Sequence, residues 1–375
     1  MSTFDVIVIG CGGMGSATLL ELAQRGLRVL GIDRHTPPHS LGSSHGETRI
    51  IRKAYFEHPD YVPLLHRAWD KWVATESACG KTLLEPRDLV MTGPADSEVI
   101  VGARESARVH GLAIENLSSV EARKRYPVLH VPDEHSVTVE HTAGFLWVER
   151  CVEQQLRLAV QHGATLNVNE TVLEITGTAN AVEIRTDRGT YSAGAAIVTS
   201  GPWTTSLLPD YKSLIAIRRK TLFWFPSTSG HWKNKEQAPI FLMDTQNGQF
   251  YGLPEVADGL VKMGEHTGGE WVSGPDNVER RVSESDLAPV QSFLRTCLNF
   301  VADEPMNSAV CLYSMTTDGH FLLDRHDSLP IVVAAGFSGH GFKFAPVIAE
   351  ACSDLVMAGR TKLPVGFLSK NRFAN

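Results

Sequence analysis

The segment Gly10-Cys11-Gly12-Gly13-Met14-Gly15 carries glycines at 10, 12 and 15, the spacing of a turn that cradles phosphate. In such a turn the first glycine gives the tight bend, the second lets backbone approach a pyrophosphate, and the third lets the following helix pack closely on its strand. The helix N-terminus beyond it offers free N–H groups and a partial positive charge. An acid, Asp33, ends the next apolar run, where it would accept hydrogen bonds from a ribose hydroxyl and repel a 2′-phosphate. The pair selects FAD or NAD over NADP and leaves those two open; a glycine turn that binds nothing is the bland alternative. Other residues able to do chemistry are scattered: Arg49 and Arg52 lie three apart, and the six cysteines include no CxxC pair. That dispersal fits reduced thiols better than disulfides, and it offers no metal site.

These residues need elements to hold them. Residues 5–9 are a β-branched apolar run, as expected of a parallel strand buried on both faces. Apolar residues recur at helical spacing over 16–25, Gly26 stops that helix, and 29–32 form a second strand that delivers Asp33. A breaker-rich loop over 37–46 follows, then Arg49 and Arg52; helical geometry there would put both guanidinium groups on one face. A long helical pattern runs through Trp69 and Trp72. Residues 172–175 and 195–199 read as further parallel strands. Between about 217 and 313 short aromatic strands and turns predict an antiparallel sheet. The last apolar strand, 331–336, leads through a glycine-rich turn into a helix over about 346–357. The expected fold is α/β: a discontinuous Rossmann-like cofactor domain (1–85, 145–215 and 315–375) with an inserted α+β substrate domain (86–144 and 216–314).

With 375 residues, 43% hydrophobic and 21% charged, the composition is that of an ordinary globular enzyme. The net charge of −7 argues against sequence-independent nucleic-acid binding. No apolar run is long enough to span a bilayer, and the N-terminus has no secretory pattern, so a cytoplasmic protein is expected.

Five segments carry a resemblance: 37–39 (Pro-Pro-His), 42–52 (Gly-Ser-Ser-His-Gly-Glu-Thr-Arg-Ile-Ile-Arg), 262–266 (Lys-Met-Gly-Glu-His), 311–313 (Cys-Leu-Tyr) and 336–343 (Gly-Phe-Ser-Gly-His-Gly-Phe-Lys). In this order, across nearly the whole chain, they resemble the monomeric sarcosine oxidase family, which includes N-methyltryptophan oxidase and the pipecolate oxidases. The resemblance implies FAD, a glutathione-reductase-like two-domain fold of the amino-acid oxidase type, and oxidation of a secondary amino acid by O2 with release of H2O2, by a monomer. An oxidase of L-pipecolate or L-proline, or a flavin dehydrogenase with another electron acceptor, are the alternatives.

By that resemblance Cys311 is the covalent attachment site of the flavin; its alternative is a small buried hydrophobe. Arg52 and Lys343 clamp the substrate carboxylate, with Tyr313 beside them, although Arg52 could instead pair with a local acid. Arg49 lies close to the flavin, Lys262 assists oxygen, and His45, Tyr251 and His266 line the active site. Gly10, Gly12, Gly13, Met14, Gly15, Asp33, Arg34, Ser43, Ser44, Val172, Gly339, Gly341 and Phe342 contact the cofactor. The family's Pro-Asp-Glu-His-Phe stands here as Thr317-Asp318-Gly319-His320-Phe321, a departure that affects the local loop.

Overall fold

The computed structural model describes residues 3–255 and 259–374. Strand Thr3–Ile9 sits at the centre of an eight-stranded sheet, parallel to Val29–Ile32 on one side and Thr190–Val198 on the other. Parallel strands Thr165–Asn167 and Ile331–Ala335 extend it. The stretches 6–9, 29–32, 196–198 and 331–335 of its central strands are buried throughout because both faces are covered. Helices Gly13–Gln24, Val148–Gln161 and Ala345–Ala358 pack together on one face, and Val62–Cys79 lies against the last of them. The N-terminal β-α-β unit and the C-terminal strand-turn-helix are therefore as expected.

A second, nine-stranded sheet is built from residues 89–140 and 216–315. Its strands read with period two, and alternation assigns each residue a face. Phe223, Phe225, Phe241, Met243, Phe250, Val261 and Met263 face helix Glu284–Cys297, where the rings of Phe250 and Phe293 stack 4.5 Å apart. The residues between them, Leu222, Leu242, Tyr251 and Lys262, take the opposite face, joined by Cys311 and Tyr313 of strand Asn307–Met315. One face is core, and the other brings Tyr251, Cys311 and Tyr313 together.

Two local expectations are corrected. Thr48–Ile51 is a strand, paired with Gly144–Trp147 in a three-stranded sheet, because its β-branched isoleucines find a partner edge. The two arginines are therefore not brought together by helical spacing. Residues 172–175 open the antiparallel strand Val172–Thr178, which pairs with Ala181–Thr186 and not with a parallel neighbour. Five of its seven residues are exposed, and so it needs no second covering layer. Among the described residues no helix is long and apolar enough to cross a membrane.

Candidate active site

A cavity of about 470 Å³ runs between the two large sheets. Gly10, Gly12, Gly13, Met14, Asp33, Arg34 and Val172 line one part of it. The glycines there do separate jobs. Gly10 has φ +86°, and a Cβ on it would lie 2.6 Å from Ser200 Cα; a Cβ on Gly15 would lie 1.7 Å from the Gly10 carbonyl oxygen. Gly15 itself does not line the cavity; it lets helix and strand touch. The N-cap residue of helix Gly13–Gln24 is Gly12, which has no side chain with which to cap the first turn. The Gly13 N–H bonds Ser44 Oγ at 3.0 Å, and the ring of Phe342 packs against the same glycine. Asp33 accepts from the N–H groups of Cys11 (2.7 Å) and His35 (2.8 Å), which fix its carboxylate at the cavity wall. Arg34 donates twice to Asp276 at the exposed rim.

A bare glycine turn, a helix start with glycine as its N-cap and a fixed acid are what a dinucleotide requires, and the cavity continues from them to a cluster of cations. The residues present therefore fit FAD: Asp33 for the ribose, Gly12 and Gly13 for the pyrophosphate, and Ser43, Ser44, Gly341 and Phe342 along the middle.

At the other end Arg52 and Lys343 come together although 291 positions separate them in the chain. Arg52 stacks over the rings of Tyr55 (4.1 Å) and Phe56 (4.3 Å) and donates to both oxygens of Glu57 at 2.6 and 2.8 Å. The local ion pair thus exists, but it is buried, with side-chain exposures of 6% and 13%, and it lies in the cavity wall. Burial pushes the Glu57 carboxyl up, yet Arg52, His340 and Lys343 outweigh it and hold it at about 2. Lys343 donates to the His340 carbonyl at 2.7 Å. Burial, then Arg52, pull its pKa down to about 7. Gly339, with φ +81°, passes so close to the Tyr313 ring that a Cβ would lie 2.2 Å from it.

The sheet face supplies Tyr251, His266 and Tyr313 to the same end. Burial raises both tyrosines and lowers His266 to about 3, so this wall is neutral. Arg49, also lining the cavity, donates to the Ser43 carbonyl at 3.0 Å and reaches Cys311 Sγ at 3.6 Å. Besides Gly15, three of the expected residues do not line it. Cys311, 1% exposed, sits behind Ser43 and Arg49. Lys262 donates to the Gly46 carbonyl and, at 2.8 Å, to the Thr48 carbonyl; burial, then Arg49, push its pKa well below the ordinary value. His45 is buried with Nε2 unpartnered among the described residues, and burial, Arg49 and Lys262 lower it to about 3.

Sequence reasoning missed Glu57, His340 and Lys220. His340 Nε2 faces the Gly319 carbonyl at 2.9 Å and must carry the proton, so Nδ1 accepts from Tyr55 Oη at 2.5 Å. Lys220 is buried beside Cys311 in cross-strand register, bonded to the Thr267 and Gly268 carbonyls, and burial lowers it to about 8. Glu57 alone left a sequence signal, as an acid five positions from Arg52.

This combination of fold and site defines a flavin-dependent oxidoreductase, and residues 5–355 match the family model described as FAD dependent oxidoreductase. The chain is 36% identical to monomeric sarcosine oxidase of Streptomyces avermitilis over 99% of its own length and 98% of the relative's. It is 34% identical to N-methyl-L-tryptophan oxidase of Salmonella enteritidis, with 99% of each chain covered. Among solved structures, NikD, an unusual amino acid oxidase essential for nikkomycin biosynthesis, superposes with a TM-score of 0.87 at 25% identity over 98% of both chains. The chain belongs to the FAD-dependent oxidoreductase family, and within it to the group that contains monomeric sarcosine oxidase and N-methyl-L-tryptophan oxidase.

Proposed function

We propose that this chain is a sarcosine-oxidase-like oxidase of secondary amino acids. It converts the C–N bond of an N-methyl or cyclic amino acid to an imine, which water hydrolyses if acyclic, while O2 becomes H2O2. The observation that carries this reading is the meeting of Arg52 and Lys343 in the cavity that begins at the glycine turn. Bound FAD supplies the two-electron chemistry, taking electrons from the substrate and passing them to oxygen.

The chain's own residues bind, orient and set charge. Arg52 presents a planar fork to a carboxylate and Lys343 adds a point charge. The substrate carboxylate would replace Glu57 on Arg52, one anion for another, so that the buried guanidinium is never left unpaired. The substrate must react as the free amine. A cation about 5 Å away at an effective dielectric near 20 disfavours the ammonium by about 3 kcal/mol, or about two pKa units. Arg49, Arg52 and Lys343 all act in that direction against the carboxylates of the substrate and of Glu57, and the neutral Tyr251, Tyr313 and His266 add no charge. Cys311 would hold the flavin ring through a thioether, with Arg49 at 3.6 Å facing the sulfur; the thiol proton would be lost and the two electrons released by C–S bond formation would reduce the flavin and pass to O2. Lys262, held behind Arg49 by the Gly46 and Thr48 carbonyls, assists the step with oxygen.

The chain works as a cytoplasmic monomer, with the cofactor domain formed by 1–85, 145–215 and 315–375 and the substrate domain by 86–144 and 216–314; the membership of the two large sheets supports that division. A peroxide-coupled screen of sarcosine, N-methyl-L-tryptophan, L-proline and L-pipecolate tests the reading: at least one yields peroxide, and turnover only with an added electron acceptor would replace it with a dehydrogenase.

A further inference from the structure

We propose that the substrate carries, beyond its amine and single carboxylate, an apolar ring or aliphatic chain that packs on Ile50, Phe56, Leu89 and Leu242. The inference deepens the amino-acid oxidase reading and rests on it.

The cavity-facing side of the nine-stranded sheet is graded. Strands Leu89–Gly93, Ile240–Thr245 and Gly248–Leu253 are neighbours in that order, with Leu242 directly across from Tyr251. Leu89 and Leu242 therefore stand at one end of the face, and Tyr251, His266 and Tyr313 continue toward Arg49. Ile50 and Phe56 belong to the same apolar cluster as the two leucines, and all four line the cavity. The wall begins at the carboxylate clamp itself, since Phe56 lies 4.3 Å from the Arg52 guanidinium and Ile50 precedes Arg52 by two residues.

An N-methyl glycine seated on Arg52 and Lys343 has no side chain to place against this surface, and its N-methyl group alone leaves most of it wet. A ring or chain displaces that water, and one methylene in an apolar pocket changes kcat/KM by about 10–200-fold. Glu57 adds a sign. Once displaced from Arg52 it is still a carboxylate beside the apolar wall, and it repels a second carboxylate on the substrate. The favoured class is a monocarboxylic secondary amine with an apolar skeleton.

Peroxide release, measured as kcat/KM, should rise at least tenfold from sarcosine to the best of N-methyl-L-leucine, L-proline and L-pipecolate, with N-methyl-L-aspartate at or below sarcosine. Leu242→Asn should cut the preference for the apolar substrate over sarcosine about tenfold, and Leu242→Met, which keeps the wall apolar, should retain it. Sarcosine as best substrate, N-methyl-L-aspartate among the best, or an unchanged preference in folded Leu242→Asn overturns the inference and leaves the oxidase reading standing. Turnover of no secondary amino acid overturns both.

Discussion

Glu57→Gln tests whether Arg52 is a masked substrate clamp. In the free protein the carboxylate lies 2.6 and 2.8 Å from Arg52 Nη2. Opposite charges centred about 4 Å apart attract by about 4 kcal/mol at an effective dielectric of 20. A substrate carboxylate gains a pair of this size and loses one, so Glu57 offsets most of the clamp. Glutamine keeps an acceptor for the guanidinium but removes the charge. If a third to two thirds of the opposition disappears, net binding strengthens by about 1.4–2.8 kcal/mol, or about ten- to a hundredfold. The assay is the Kd of a non-oxidisable carboxylate such as isobutyrate, read from the flavin absorbance of the holoenzyme. It is run at pH 6, where Lys343, at about 7, is still charged. Thermal stability should fall at the same time, because a buried guanidinium loses its counter-ion. An unchanged or weaker Kd in a folded Glu57→Gln protein would refute the exchange.

Lys343 has a pKa depressed to about 7 by burial and Arg52, so its charge is present below pH 7 and lost above it. KM should therefore climb with pH while kcat rises as the amine deprotonates; Lys343→Met should raise KM at low pH and abolish the climb, and a climb that persists in the variant counts against the assignment. Cys311→Ser should leave flavin in the supernatant after acid precipitation, where the native protein keeps it with the polypeptide; complete release from both removes the thioether. Gly339→Ala must place a methyl 2.2 Å from the Tyr313 ring at φ +81°, a cost of about 2–4 kcal/mol. Its melting temperature should drop by several degrees with a loss of bound FAD, and an unaltered melting curve contradicts the packing described.

The cofactor half was legible in the sequence because its signals are local. A glycine turn, the strand before it and the acid after it occupy about thirty consecutive positions, and each has one physical reason to be there. Lys262 stood out only through the resemblance; its strand, Leu260–Glu265, is buried over its first five residues and shows no alternating exposure that would mark it. The opposite end depends on contacts between distant segments. Nothing local told that Thr48–Ile51 would pair with Gly144–Trp147 instead of coiling, or that Val172 would begin an antiparallel meander. His340 gained its role only when Tyr55 and the Gly319 carbonyl arrived on either side of its ring. Glu57 stood near enough to Arg52 to be suspected, but its burial, which turns a surface pair into an exchangeable gate on the cavity, follows from packing by Tyr55 and Phe56.

Anaerobic mixing of the purified holoenzyme with the best secondary amino acid of the series tests the central claim most directly. The oxidised flavin absorbance should bleach, with imine or aldehyde formed in equal amount, and admission of air should restore the absorbance with one equivalent of H2O2. A flavin absorbance that stays unchanged with every secondary amino acid, in protein that retains its FAD, would contradict it.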